Sequence, residues 1–113
     1  LIRAKGGVVI LEVDEHCHSN RELYPEEAER MFRMWEGTRT RMAFVRFNPD
    51  AFHNAQGNAV RISEDIRLDR LRKVLDTYLA PNFKFPRKPS LTFLFYEEHL
   101  KEEVTRGFNA LIQ

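Results

Sequence analysis

A chain of 113 residues has the length of one domain with a single hydrophobic core, toward the small end of what buries surface efficiently, so one domain rather than two is expected within it. Its 42% hydrophobic and 31% charged residues exclude a disordered chain, whose apolar content would be too low to offset ordering entropy. Eighteen basic residues against seventeen acidic ones leave a formal net charge of +1, so any affinity for nucleic acid must come from local segregation of charge rather than an overall field. A single cysteine excludes an internal disulfide, and no stretch approaches the roughly twenty apolar residues that span a bilayer. The expectation is an intracellular setting, cytoplasmic or nuclear, without a membrane partner.

The chain opens Leu1-Ile2-Arg3-Ala4-Lys5 with neither an initiator methionine nor an apolar run of signal-peptide length, and reads as a piece of something longer. Lys5-Gly6-Gly7 is a turn signal, and the β-branched run Val8-Val9-Ile10-Leu11 after it predicts a doubly buried strand over 8–13. Residues 1–4 fit the tail of a preceding strand joined to it through the glycine pair as a hairpin. Residues 14–24 are polar and irregular. Pro25 suits a first helical turn, Glu26 and Glu27 complement the positive end of the helix dipole, and Ala28, Met31, Phe32 and Trp35 form one apolar stripe. A helix is predicted over 25–36, with Gly37 as its stop.

Met42-Ala43-Phe44-Val45-Arg46-Phe47 predicts a second strand, ended by the turn tripeptide Asn48-Pro49-Asp50 and followed by a long loop through Gly57 and Asn58. Ser63 is a plausible N-cap, and Leu68, Leu71, Val74, Leu75 and Tyr78 continue a helical stripe, which predicts a helix over 64–79. Residues 82–89 read as an irregular connector. Leu91 to Tyr96 predicts the third strand, and Leu100, Val104, Phe108 and Leu111 mark the apolar face of a final helix. This alternation predicts an α/β fold, a parallel or mixed central β-sheet flanked by helices, with functional residues at the C-terminal ends of the strands.

The first strand ends in the segment richest in chemistry, Glu12-Val13-Asp14-Glu15-His16-Cys17-His18. Side chains alternate along a strand, so Glu12 and Asp14 share a face and the carbonyl of Val13 lies between them. Such hard oxygen ligands suit Mg²⁺ or Mn²⁺. The plainer alternative is that the strand stops at Glu12 and both acids are solvated. His18 supplies the kind of group that serves as general acid or base. Zinc held by His16, Cys17 and His18 fits less well, because adjacent ligands do not readily close a tetrahedron, and Cys17 reads as a packed or idle thiol.

Other residues carry two readings each. Glu27 and Arg30, spaced i, i+3, form at their plainest a surface ion pair of about 0.3 kcal/mol. Arg46, inside a central strand, needs an acidic partner or a phosphate. Asn48-Pro49-Asp50 is first a turn, placed where Asn48 or Asp50 would buttress the strand end. The densest basic region joins Arg67, Arg70, Arg72 and Lys73 to Lys84, Arg87 and Lys88; it suits a DNA backbone, while a solvated helix face explains the first four equally well. Phe83 and Phe85 are read as core or strap residues rather than base-stacking platforms.

Taken together, residues 9–18 with Tyr24, Glu27 and Arg30-Met31, the strand Phe44-Val45-Arg46-Phe47-Asn48-Pro49-Asp50 and the closing Leu94-Phe95-Tyr96 resemble the PD-(D/E)XK restriction-endonuclease-like superfamily. The branch they resemble is related to very-short-patch-repair endonucleases, of the type found in large DNA viruses and algae. The likeness spans roughly residues 3–96. It implies a restriction-endonuclease-like fold and a Mg²⁺- or Mn²⁺-dependent endonuclease that hydrolyses DNA phosphodiester bonds. It further implies that Glu12 binds metal with Val13 and Asp14, that Glu27 orders the site, and that Arg30 faces the scissile phosphate. Arg46, Asn48, Lys84, Arg87 and Lys88 are the remaining candidates for contact with DNA. Asp14 stands where many relatives carry lysine, so polarising the attacking water falls to His18 or to a second metal. The superfamily's other metal-binding aspartate normally lies on the preceding strand, and no acidic residue precedes Glu12. The expectation is therefore a single nuclease-like domain over 1–113, incomplete at its N-terminus; the alternative is a catalytically inactive nucleic-acid-binding module of the same fold.

Overall fold

The computed structural model describes residues 1–13, 24–50, 52–54, 56–96 and 98–112. The leading hairpin forms as expected: β1 (Ile2–Ala4) pairs antiparallel with β2 (Gly7–Val13), and Gly6 makes the turn at φ 89°, a left-handed conformation that glycine adopts without steric cost. Helix α1 (Tyr24–Thr38) follows, then β3 (Met42–Phe47), which lies parallel to β2 with Val8 opposite Met42 and Glu12 opposite Arg46. The long loop predicted after β3 contains a short antiparallel pair, β4 (Phe52–His53) with β5 (Ala59–Val60). Helix α2 (Glu64–Leu79), β6 (Ser90–Leu94) and α3 (Glu98–Ile112) complete the described chain. The main sheet runs β1-β2-β3-β6, mixed in sense, with β6 parallel to β3.

Alternation along the strands sorts the core into two layers. Ile10, Met42 and Phe44 face α1 and α3, where they meet Ala28, Met31, Trp35, Leu100, Val104 and Phe108. Val9, Ala43, Val45 and Phe47 face the other way, toward Leu71, Val74, Leu75 and Tyr78 of α2 and toward Phe85. With helices on both faces, every side chain of β3 is buried, as its continuous apolar run requires. Phe83 and Phe85 strap this second layer as read from the sequence, edge to face on each other, with Phe83 edge to face and Phe85 stacked against Tyr78.

Three expectations need correction. Gly37 lies inside α1, which ends instead through Arg39: at φ 52° its N–H returns to the Trp35 carbonyl at 2.6 Å. The third strand stops at Leu94, because Phe95 turns to φ 70°. Leu111, placed on the apolar face of α3, is 41% exposed. Helix α2 runs where expected, and its Ser63 cap accepts a hydrogen bond from the amide of Ile66 at 3.4 Å.

Gly7 has a packing reason to be glycine. A Cβ there would lie 2.6 Å from Cγ of the Phe85 ring, inside any tolerable contact. Gly7→Ala is expected to destabilise the protein by about 1–3 kcal/mol through overpacking. Urea unfolding measures this, and an unchanged midpoint would contradict the Phe85 contact.

Candidate functional site

Glu12 is the penultimate residue of β2 and shares the face of Ile10, so its carboxylate emerges at the C-terminal end of the sheet beneath α1. The parallel register sets Arg46 of β3 beside it. Helix α1 crosses this corner with Glu27 and Arg30 one turn apart, while Ala28, Met31 and Trp35 hold the helix to the core. Four charges from three elements thus converge.

They form a chain. Nη1 of Arg30 donates to Oε1 of Glu12 at 3.0 Å and Nη2 donates to Oε2, a forked pair that engages both carboxylate oxygens. Nη2 of Arg30 also reaches Oε2 of Glu27 at 2.5 Å. The same Glu27 oxygen lies 2.9 Å from Nη1 of Arg46, whose guanidinium also sits 3.8 Å from Sδ of Met31. The hydrogen bond that Arg30 donates to Glu12 raises the Arg30 pKa above its ordinary value; burial opposes this and Glu27 adds to it. A cation whose folded-state pKa is raised contributes its stabilisation fully below its unfolded value and loses it only as the solution turns more alkaline still. Arg30 therefore stays charged throughout any working range of pH.

Burial separates the partners. Arg46 is 6% exposed and needs a nearby anion, whereas the side chain of Arg30 is 44% exposed and can rotate into water. Glu27 accordingly does more than the surface pairing of its i, i+3 spacing, because it bridges a buried cation to an exposed one.

The carboxylates of Glu12 and Glu27 and the carbonyl of Val13 are hard oxygen donors of the class that suits Mg²⁺ or Mn²⁺, ions that retain several waters. Among the described residues there is no cluster of three or more acidic, histidine or cysteine side chains placed to hold a metal. Asp14 and His18, with Glu15, His16 and Cys17, lie outside the described residues.

The other candidates do not share one surface. Asn48 is fully buried: its Nδ2 donates to the Phe95 carbonyl at 2.9 Å, and its Oδ1 accepts from the Asp50 amide at 3.0 Å. It works inside the fold, pinning the end of β3 to the end of β6. Lys84, Arg87 and Lys88 are exposed, and the last two sit where β6 is about to begin, away from Glu12. Sequence reasoning missed Arg67. Grouped there with a basic helix face, it is 4% exposed, its Nη1 donates to the Asn48 carbonyl at 2.7 Å, its Nε donates to the Ile62 carbonyl at 3.0 Å, and its guanidinium lies 4.9 Å from the centre of the Phe95 ring. The i, i+4 spacing from Ser63, on the side of α2 that carries Leu71, Val74 and Tyr78, was the available signal. Arg72 and Lys73 pair with Asp69, so this part of the helix is neutralised within itself.

Comparison with protein-family models, with curated proteins and with solved structures gives no match for this chain. Among the described residues, no helix is long and apolar enough to cross a membrane.

Glu27→Gln is expected to destabilise the protein by about 1–3 kcal/mol, because it removes a charged partner from the buried Arg46. Glu29→Gln, which breaks only the exposed pair with Arg33, should change stability by less than about 0.5 kcal/mol. Equal effects of the two substitutions in urea unfolding would contradict the bridging role of Glu27.

Proposed function

We propose that this chain is the core of a metal-dependent endonuclease of the restriction-endonuclease-like type, hydrolysing DNA phosphodiester bonds in an intracellular setting. The observation that carries the reading is the pairing of Glu12, at the C-terminal end of a parallel strand, with Arg30 on a partly exposed rim. Phosphodiester hydrolysis needs an anionic group to hold a divalent cation, and fixed positive charge to meet the phosphate. Both lie together here. The order of elements supports the same reading, since Glu12 closes a hairpin and is followed by a helix and a parallel neighbouring strand. Sequence resemblance to the PD-(D/E)XK superfamily agrees with that order.

Glu12 and the Val13 carbonyl would hold Mg²⁺ or Mn²⁺, with Asp14 as the second carboxylate. Bound there, the cation would neutralise charge developing on the phosphoryl oxygens. Arg30 would leave Glu12 and turn its guanidinium to the scissile phosphate. Glu27 would stay with Arg46 and hold the base of the site in place, while His18 would move the proton.

One observation favours a second reading, a catalytically inactive nucleic-acid-binding module. Both oxygens of Glu12 already accept from Arg30, so the carboxylate is satisfied without a metal.

A plasmid-nicking assay separates the two readings. The wild-type chain in its full-length protein should nick DNA only with Mg²⁺ or Mn²⁺, and Glu12→Gln should abolish nicking while altering stability by less than about 1 kcal/mol, because Arg30 is free to solvate. Undiminished nicking by Glu12→Gln would overturn the assignment of Glu12; no nicking by the wild type would favour the inactive module. Arg30→Gln is expected to tighten Mn²⁺ binding by about tenfold in calorimetry, by freeing Glu12 from a charge-assisted hydrogen bond, and at the same time to slow cleavage.

A further inference from the structure

At the opposite pole of the sheet, where β2, β3 and β6 begin and α1 and α3 end, the fold gathers four cations from distant parts of the sequence. Arg39 and Arg41 follow α1, and Arg87 and Lys88 come from the connector before β6. With Trp35 and Ile112 they line an open cavity of about 460 Å³. Arg41 is anchored, its Nη1 donating to the Phe85 carbonyl at 2.7 Å. Arg39 holds its guanidinium 4.6 Å from the centre of the Trp35 ring.

Two independent features point to an anion. The helix-surface cations Arg30, Arg33, Arg72 and Lys73 all pair with carboxylates, but among the described residues Arg39, Arg87 and Lys88 have none within ion-pairing distance, and the neighbouring Glu36 pairs with none of them. The carboxyl ends of α1 and α3 supply about half a negative charge each, which offsets only a minor part of four positive charges. The second feature is Trp35 itself. It is 8% exposed, and its indole Nε1–H is a buried donor with no acceptor among the described residues. Buried donors are nearly always satisfied, so an unsatisfied one in the ring over which Arg39 lies marks this corner as short of an acceptor among the described residues.

We propose that this cavity is a phosphate subsite that holds one backbone phosphate of the nucleic acid whose scissile bond lies at Glu12. The inference rests on the nuclease reading and extends it to a second point of contact. A phosphate offers acceptors only, which matches guanidinium forks and an ammonium. The cavity volume lies within the range of about 300–1,000 Å³ that encloses small ligands, enough for a nucleotide unit. The six residues of β3 separate the two poles by at least about 17 Å, so a duplex must extend over no fewer than roughly five base pairs to engage both.

Trp35 is the single tryptophan and reports on the cavity directly. In the presence of a chelator, a twelve-base-pair duplex should change Trp35 emission and bind both wild type and Glu12→Gln. The triple variant Arg39→Gln/Arg87→Gln/Lys88→Gln, altered only at exposed positions, should bind about tenfold more weakly, with a log–log salt slope smaller by about one. Unchanged affinity and slope in the triple variant would overturn the subsite and leave the nuclease reading to the nicking assay. An emission response to inorganic phosphate but not to duplex would overturn the nucleic-acid assignment in favour of a small anion. Failure of the wild type to bind duplex at all would overturn the subsite and count against the nuclease reading together.

Discussion

Arg46 occupies an inner strand of a sheet covered on both faces, and every other side chain of that strand is apolar. A guanidinium in such a place is tolerable only with an anion in contact, because desolvating a lone charge costs several kcal/mol. Glu27 supplies one from α1, and the helix is thereby fixed to the sheet at its charged end as well as along the apolar stripe of Ala28, Met31 and Trp35. Removing any member of the Glu12, Arg30, Glu27, Arg46 series changes the charge balance seen by the next. The position of the helix and the electrostatics of the strand end are therefore one constraint.

That constraint shapes what the corner can do. On the proposed reading, a cation approaching Glu12 competes with Arg30, and a phosphate approaching Arg30 competes with Glu12, so the arrival of one frees the partner of the other. The forked geometry engages both oxygens of Glu12, so a cation that takes both must displace both hydrogen bonds from Arg30. Arg46 takes no part in the exchange. Its burial and its contact with Glu27 keep a fixed charge beneath the site while Arg30, more exposed, is free to move.

Rigidity behind the corner comes from a second polar set with no carboxylate in it. Asn48, Arg67 and the Phe95 backbone tie the ends of β3, α2 and β6 together through hydrogen bonds to buried carbonyls and a cation over an aromatic face. Such a set orders the strand ends without adding charge to the surface. The opposite pole carries the reverse pattern, with cations that meet no carboxylate among the described residues on an open cavity, and the sheet holds the two about the length of β3 apart.

Periodicity in the sequence determined the elements: Gly6-Gly7 the hairpin, the stripe from Ala28 to Trp35 the first helix, Met42 to Phe47 the central strand, and Ser63 the start of the second helix. These are local matters, settled by turn chemistry, alternation and caps within a few residues. It also singled out Glu12, Glu27, Arg30 and Arg46 one by one, with Glu27 and Arg30 at their plainest a helix surface pair. Only the tertiary structure decided that the four are a single chain of contacts, because the parallel register that sets Glu12 beside Arg46 joins positions separated by a whole helix. The same holds for Asn48 and Arg67, polar by type and interior by placement, and for Trp35, whose cavity is built from the end of α1, the connector before β6 and the end of α3. Polar side chains declare what they can bind, but which partner they meet depends on non-local packing, to which spacing along the chain is blind.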